Sequence, residues 1–135
     1  MLGEKNTLCR LLIVDDNQDA ANTLGVLLGM AGYQVKTAFN GLNALAIAAS
    51  FDPEACILDI NMPGMNGYEL ARRLRAMAKD HPLILATVTA CNDDKHLDRA
   101  VLAGFSLHFT KPADADDIAE QLEKCVADSS QQGAG

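Results

Sequence analysis

Leu11-Leu12-Ile13-Val14-Asp15-Asp16-Asn17 decides the reading of this chain. Four apolar residues in unbroken succession suit a strand covered on both faces, where alternation with polar residues is lost. The carboxylates that follow then stand at the strand's C-terminal end. Downstream, Ala20, Leu24, Leu27, Leu28 and Ala31 recur at helical spacing, with Asn17 or Asp16 placed to cap the helix and Gly32 to end it. The same alternation then repeats. Strands are expected at 34–38, 54–60, 83–88 and 107–110. Between them lie helical patterns on Ala44, Leu45 and Ala48, on Leu70, Leu74 and Met77, and on Leu97, Ala100 and Val101 up to Gly104. Asn40-Gly41, Pro63-Gly64 and Asn66-Gly67 read as turn or loop signals. Arg72, Arg73 and Arg75 should face outward, and Ile118, Leu122, Cys125 and Val126 form the last stripe. Strands alternating with helices predict an α/β fold: a parallel sheet with helices on both faces and right-handed crossovers. Ligands in such sheets bind beyond the carboxyl ends of the strands.

Composition is consistent with this. A chain of 135 residues and 14.4 kDa accommodates one domain with a full core. The expected division is a short leader at 1–8, one domain at 9–127 and a flexible polar tail at 128–135. With 49% hydrophobic and 21% charged residues the chain is globular. A net charge of -7 disfavours DNA and anionic membranes as partners. No apolar run reaches the length of a membrane span, and no signal-peptide stretch precedes Arg10. Cys9, Cys56, Cys91 and Cys125 are far apart, which reads as free thiols in a reducing, cytoplasmic setting. His81, His96 and His108 are scattered, so zinc has little support.

The expected strand ends carry the chemistry. The first ends in Asp15-Asp16, the third in Asp59, the fourth in Thr89 and the fifth in Lys111. Any one of these is ordinary as a helix cap or an exposed terminus. Together they set three carboxylates, one ammonium and one hydroxyl along one sheet edge. Two carboxylates about 4 Å apart repel by roughly 4 kcal/mol at an effective dielectric of 20. A divalent cation relieves that repulsion, and an all-oxygen donor set points to magnesium, with manganese as a substitute. Magnesium favours sites completed by phosphate. A carboxylate can be a nucleophile toward phosphorus, with ammonium and hydroxyl groups receiving the developing charge. No glycine-rich nucleotide-binding loop is present.

Four segments, in order, carry a resemblance: Leu11-Leu12-Ile13-Val14-Asp15-Asp16-Asn17, Leu58-Asp59-Ile60-Asn61-Met62-Pro63-Gly64-Met65-Asn66-Gly67, Val88-Thr89-Ala90 and Thr110-Lys111-Pro112. The chain resembles the receiver domain of two-component response regulators, and receivers of hybrid sensor kinases most in flavour. The resemblance implies a doubly wound, flavodoxin-like (βα)5 sandwich of strand order 2-1-3-4-5. It implies that Asp59 accepts a phosphoryl group from a phosphohistidine on a sensor histidine kinase or histidine phosphotransfer protein. Asp16 and Asp59 would ligate magnesium directly, Asp15 mainly through water, and the Asn61 backbone carbonyl would be a further ligand. Thr89 and Lys111 would contact the phosphoryl group. A cis bond before Pro112 would place Lys111, Ala90 would leave a path to Asp59, and Pro63 and Gly67 would shape the loop after the acceptor.

Three further expectations rest on the resemblance. His108 occupies the family's aromatic switch position, either making a pH-sensitive contact or having no switching role, while Phe109 points to the opposite face. Asn61 and Cys91 would tune the phosphate's lifetime, and uncharged Cys91 favours a long one. The face at 93–126 would bind a downstream protein, with no direct DNA binding, because only a short tail follows Val126. The chain is thus expected to be a signalling switch rather than a turnover enzyme, standing alone or excised from a hybrid kinase. A degenerate scaffold, a small magnesium-dependent phosphohydrolase and a flavin or nucleotide module are the competing readings.

Overall fold

Leu11, Leu12, Ile13 and Val14 are each no more than 1% exposed because helices cover both faces of their strand. The computed structural model describes residues 9–78, 82–89, 94–111 and 113–134. In chain order the elements are β1 (Arg10–Val14), α1 (Gln18–Met30), β2 (Gln34–Ala38), α2 (Gly41–Phe51), β3 (Ala55–Leu58), α3 (Gly67–Met77), β4 (Ile84–Thr89), α4 (Asp94–Ala103), β5 (Leu107–Thr110) and α5 (Ala115–Ala134). The strands are parallel and ordered β2-β1-β3-β4-β5, the flavodoxin-like arrangement expected.

Strand alternation divides the interior into two cores. Leu12, Val14, Cys56, Leu58 and Leu85 pack beneath α2, α3 and α4. Leu11, Ile13, Ile57, Ala86, Val88 and Phe109 pack beneath α1 and α5. Phe109 therefore points away from the face of His108, as alternation requires.

Several local expectations change. The inward face of α1 is Ala21, Gly25 and Leu28 with Leu24 packed at its margin, so Leu24 and Leu28 of the expected stripe face the core, while Ala20, Leu27 and Ala31 are exposed. Gly25 joins this face because a Cβ there would stand 3.2 Å from Thr37 Cγ2, so the helix rides close on β2 through a residue with no side chain. Met77 and Val101 are likewise exposed rather than inward. Asn40-Gly41 and Asn66-Gly67 are not free turns. Each asparagine caps a helix whose first residue is the glycine, accepting from Asn43 N at 2.8 Å and from Glu69 N at 3.0 Å. The third strand is shorter than 54–60, which leaves Asp59 just beyond the ladder, and β4 extends to include Thr89. The backbone of α5 is helical to Ala134, where a loose tail was expected; no proline interrupts it, so the helix continues past its apolar stripe.

The Asn66 cap fixes the start of α3 immediately after the loop that follows Asp59. Replacing Asn66 with alanine is expected to lower stability by about 1 kcal/mol, measured by urea unfolding. An unchanged midpoint would show that the cap contributes nothing.

Candidate functional site

The site begins where β1 and β3 run out. Asp59 N donates to Val14 O at 2.9 Å and Asp15 N to Ala38 O at 3.1 Å, so hydrogen bonding between neighbouring strands carries both aspartates to one edge. Asp15 and Asp59 are only 7% and 6% exposed, whereas Asp16 is open to solvent. Carboxylate oxygens of Asp15, Asp16 and Asp59 all lie within 4.8 Å of one another.

Backbone amides hold two of these carboxylates. Asn17 N donates to Asp15 Oδ1 at 3.0 Å, and Asn61 N donates to Asp59 Oδ1 at 3.3 Å. Lys111 enters from the end of β5, its backbone N–H donating to Thr89 O at 2.9 Å. Its Nζ lies 3.2 Å from Asp15 Oδ2 and 3.5 Å from Asp59 Oδ2. Thr89 is 2% exposed at the end of β4, paired in register with Thr110, the residue before Lys111. The edge thus gathers residues from the ends of β1, β3, β4 and β5.

The charge balance remains uneven. Burial pushes the Asp59 carboxyl up from 3.8 to about 6, and the nearby Asp15 charge adds to it, against the pull of Lys111. Burial works against the Lys111 ammonium, but its hydrogen bond to Asp15 and the charges of Asp59 and Asp15 outweigh that and raise its pKa. One ammonium facing three carboxylates leaves two uncompensated negative charges. Among the described residues the cluster offers hard oxygen donors and no thiol or imidazole, which suits magnesium or manganese.

Gly67 explains how the loop returns so closely. It is the first residue of α3, and its N–H donates to Ile60 O at 3.0 Å. A Cβ at this position would lie 2.7 Å from Asp59 O and 2.9 Å from Ile60 Cα. Gly64 has φ +82°, a conformation that favours glycine, next to the exposed Pro63. Asn61 is exposed beside the cluster, and His108 is exposed on β5. Ala90, Cys91 and Pro112 lie outside the described residues. The two amide donors, from Asn17 and Asn61, escaped the sequence reading; Asn17 had been legible only as a helix cap.

The described cysteines stand apart from this chemistry. Burial, then the charge of Glu54, pushes the Cys9 thiol up to about 12, and burial also raises that of Cys56. Cys9 and Cys56 are free thiols. No described helix is long and apolar enough to cross a membrane.

Comparison with known proteins agrees with the geometry. The family model described as "Response regulator receiver domain" matches residues 11–123. Sporulation initiation phosphotransferase F of Bacillus subtilis is 32% identical over 115 residues, covering 85% of this chain and 91% of that protein. The sensor histidine kinase RcsC of Escherichia coli is 34% identical over 112 residues, covering 83% of this chain but 12% of the kinase. Among solved structures, a CheY-like receiver domain protein from Methanospirillum hungatei superposes with a TM-score of 0.85 at 23% identity, over 93% of this chain and 98% of that one. Vibrio cholerae chemotaxis protein CheY4 superposes at 0.80 with 26% identity, over 87% and 98%. The matching segments, the strand order and the acidic edge converge, and the chain belongs to the response regulator receiver domain family.

Proposed function

We propose that Asp59 is a phosphoacceptor, taking a phosphoryl group from a phosphohistidine of a sensor histidine kinase or histidine phosphotransfer protein, and that this changes what the chain binds. The observation that carries the reading is the convergence of Asp15, Asp16, Asp59 and Lys111, with Thr89 at the adjoining strand end. In the transfer, a carboxylate oxygen of Asp59 bonds to phosphorus as the phosphorus–nitrogen bond breaks. The departing imidazole keeps the electron pair and takes up a proton.

Each neighbouring residue has a part. Asp16 and Asp59 would hold magnesium directly, Asp15 would act through water, and the Asn61 carbonyl would add a ligand. When bound, the ion offsets the carboxylate charge and that of the incoming phosphoryl oxygens. Lys111 exchanges its contact with Asp59 for a phosphoryl oxygen, and the Thr89 hydroxyl donates to another. The Asn61 amide orients the acceptor carboxylate, and Pro63 and Gly67 set the path of the loop. Ala90 and Pro112 keep the roles of access and lysine placement, and Asn61 and Cys91 those of lifetime.

The proposed output surface is the α4–β5–α5 face, within 93–126. Leu102 on α4 is 83% exposed and Val101 is 64% exposed, an apolar pair available to a protein partner. A phosphoryl group adds about -1.5 to -2 of charge at the acceptor, and a partner that binds one state better shifts the population toward it. The receiver family consists typically of signalling switches rather than enzymes.

The test is incubation with acetyl phosphate and magnesium, followed by intact mass. One phosphoryl group on the wild type, none on Asp59→Asn and none with excess chelator is the expected pattern. Steady release of phosphate from unrelated esters would favour the phosphohydrolase. Magnesium binding without any phosphorylation by either acetyl phosphate or a phosphohistidine donor would favour a scaffold.

A further inference from the structure

One edge of the sheet is open and lies in a groove. β2 is the terminal strand, and among the described residues only β1 pairs with it. Gln34 N donates to Cys9 O, and Ala38 O accepts from Asp15 N, so the even-numbered residues of β2 turn their backbone groups toward β1. Backbone groups alternate sides along a strand. Val35 and Thr37 therefore each aim an N–H and a C=O at the open edge, a short row ready to pair with another strand.

The groove along this edge has a volume of about 530 Å³. Asn22 and Val26 of α1 wall it on one side and Ile47 of α2 on the other, with Val35, Lys36 and Thr37 between them. The two sides differ in chemistry. Thr37 and Val35 lie against α1 at Gly25, where a Cβ would stand 3.2 Å from Thr37 Cγ2 and 3.4 Å from Val35 Cγ1. Beside them Val26 is 62% exposed. Lys36 is on the α2 side, its Nζ 5.7 Å from the Phe51 ring centroid. Among the described residues no carboxylate forms an ion pair with it. A strand added here would meet an apolar wall on one face and a lone cation on the other.

A second copy of the chain fits this edge poorly. Antiparallel self-pairing that engages both Val35 and Thr37 sets Lys36 directly opposite its own counterpart, two ammonium groups on one face. Each copy would also bring α1 and α2 alongside its edge. A single extended segment without flanking helices meets neither obstacle.

We propose that the β2 edge is a docking site for an extended segment of a partner protein, added as a sixth strand. The segment carries an aspartate or glutamate beside Lys36, with an aliphatic residue before and after it turned toward Val35 and Val26. The backbone of Val35 and Thr37 holds the strand, and the alternating side chains select it. The edge lies at the far side of the sheet from β5, and docking there needs no phosphoryl group, so the inference stands apart from the phosphoacceptor reading.

The test is amide NMR of the full chain, with a capped pentapeptide of serine, isoleucine, glutamate, valine and serine as the probe. At millimolar peptide the Val35 and Thr37 amides should shift and exchange with water about tenfold more slowly, while the Lys36 amide, which faces β1, responds less. Lysine in place of the peptide's glutamate should weaken binding about tenfold, and Lys36→Glu should reverse that preference. Thr37→Pro removes one outward N–H at a position where an edge strand tolerates proline, and it should abolish binding. The charge reversal decides the matter if that variant does not fold. Unmoved Val35 and Thr37 amides, or equal binding of the two peptides to both proteins, would overturn the site. Slow exchange of the two amides in the free chain would overturn it too, since the edge would already be covered. Shifts of these amides on concentrating the chain alone would give the edge to a second copy instead.

Discussion

With divalent cations chelated, Asp59→Asn is expected to be more stable than the wild type at neutral pH, by about 1–3 kcal/mol. The cause is the environment that suits Asp59 to its proposed role. Its carboxyl is 6% exposed and close to Asp15, and its pKa rises from 3.8 to about 6 in the folded protein. Between these values the folded chain binds more protons than the unfolded one, so this group makes stability fall as pH rises. The penalty is absent below about 4, grows toward 6 and is complete above it. Asparagine carries no charge, keeps an oxygen to accept from Asn61 N and removes the penalty. Urea unfolding of both proteins from pH 4 to 8 provides the check, with the curves separating as pH rises. Magnesium should then stabilise the wild type and have less effect on the variant. Equal stability across the range would mean that the buried carboxylate is fully compensated by Lys111.

Gly67→Ala is expected to destabilise the fold by about 1–3 kcal/mol and to slow phosphorylation. The added methyl would meet Asp59 O at 2.7 Å and Ile60 Cα at 2.9 Å, and both contacts are backbone or close to it. The loop after Asp59 must therefore move, taking Asp59 from its place opposite Lys111. Gly29 is the control, since a Cβ there meets nothing within 4 Å. Gly29→Ala, inside α1, should leave phosphorylation unchanged and add about 1 kcal/mol through helix propensity. Denaturant midpoints and initial rates of phosphorylation would be compared. Matching effects at the two positions would refute the close-approach argument.

The strand sequence, and the acidic edge with it, was legible because β1 and β3 are continuous apolar runs that end abruptly in a polar residue. Leu11 to Val14 followed by Asp15, and Ala55 to Leu58 followed by Asp59, show this directly. Helix faces were less legible. In α1 the stripe was right at Leu24 and Leu28 but missed Ala21 and Gly25, small residues that an apolar pattern undercounts, and so took in the exposed Ala20, Leu27 and Ala31. Asn40 and Asn66 were taken for turn residues because a helix cap and a turn use the same side-chain oxygen to bond a nearby amide. Tertiary pairs left no local signature: the Arg99 guanidinium lies 4.1 Å from the Tyr68 ring centroid, and Arg75 donates to Gly104 O at 2.8 Å. Nor did the buried Thr87 hydroxyl, which has no hydrogen-bond partner among the described residues.

The most direct measurement is to locate the phosphoryl group on the wild-type chain. The protein would be phosphorylated by a phosphohistidine donor with magnesium, the acyl phosphate reduced with borohydride, and the peptides sequenced by mass spectrometry. Reduction at Asp59 alone, lost when magnesium is chelated, is the predicted result. Modification at another residue, or acid-stable phosphate on a serine, threonine or tyrosine, would contradict the assignment of Asp59 as the acceptor.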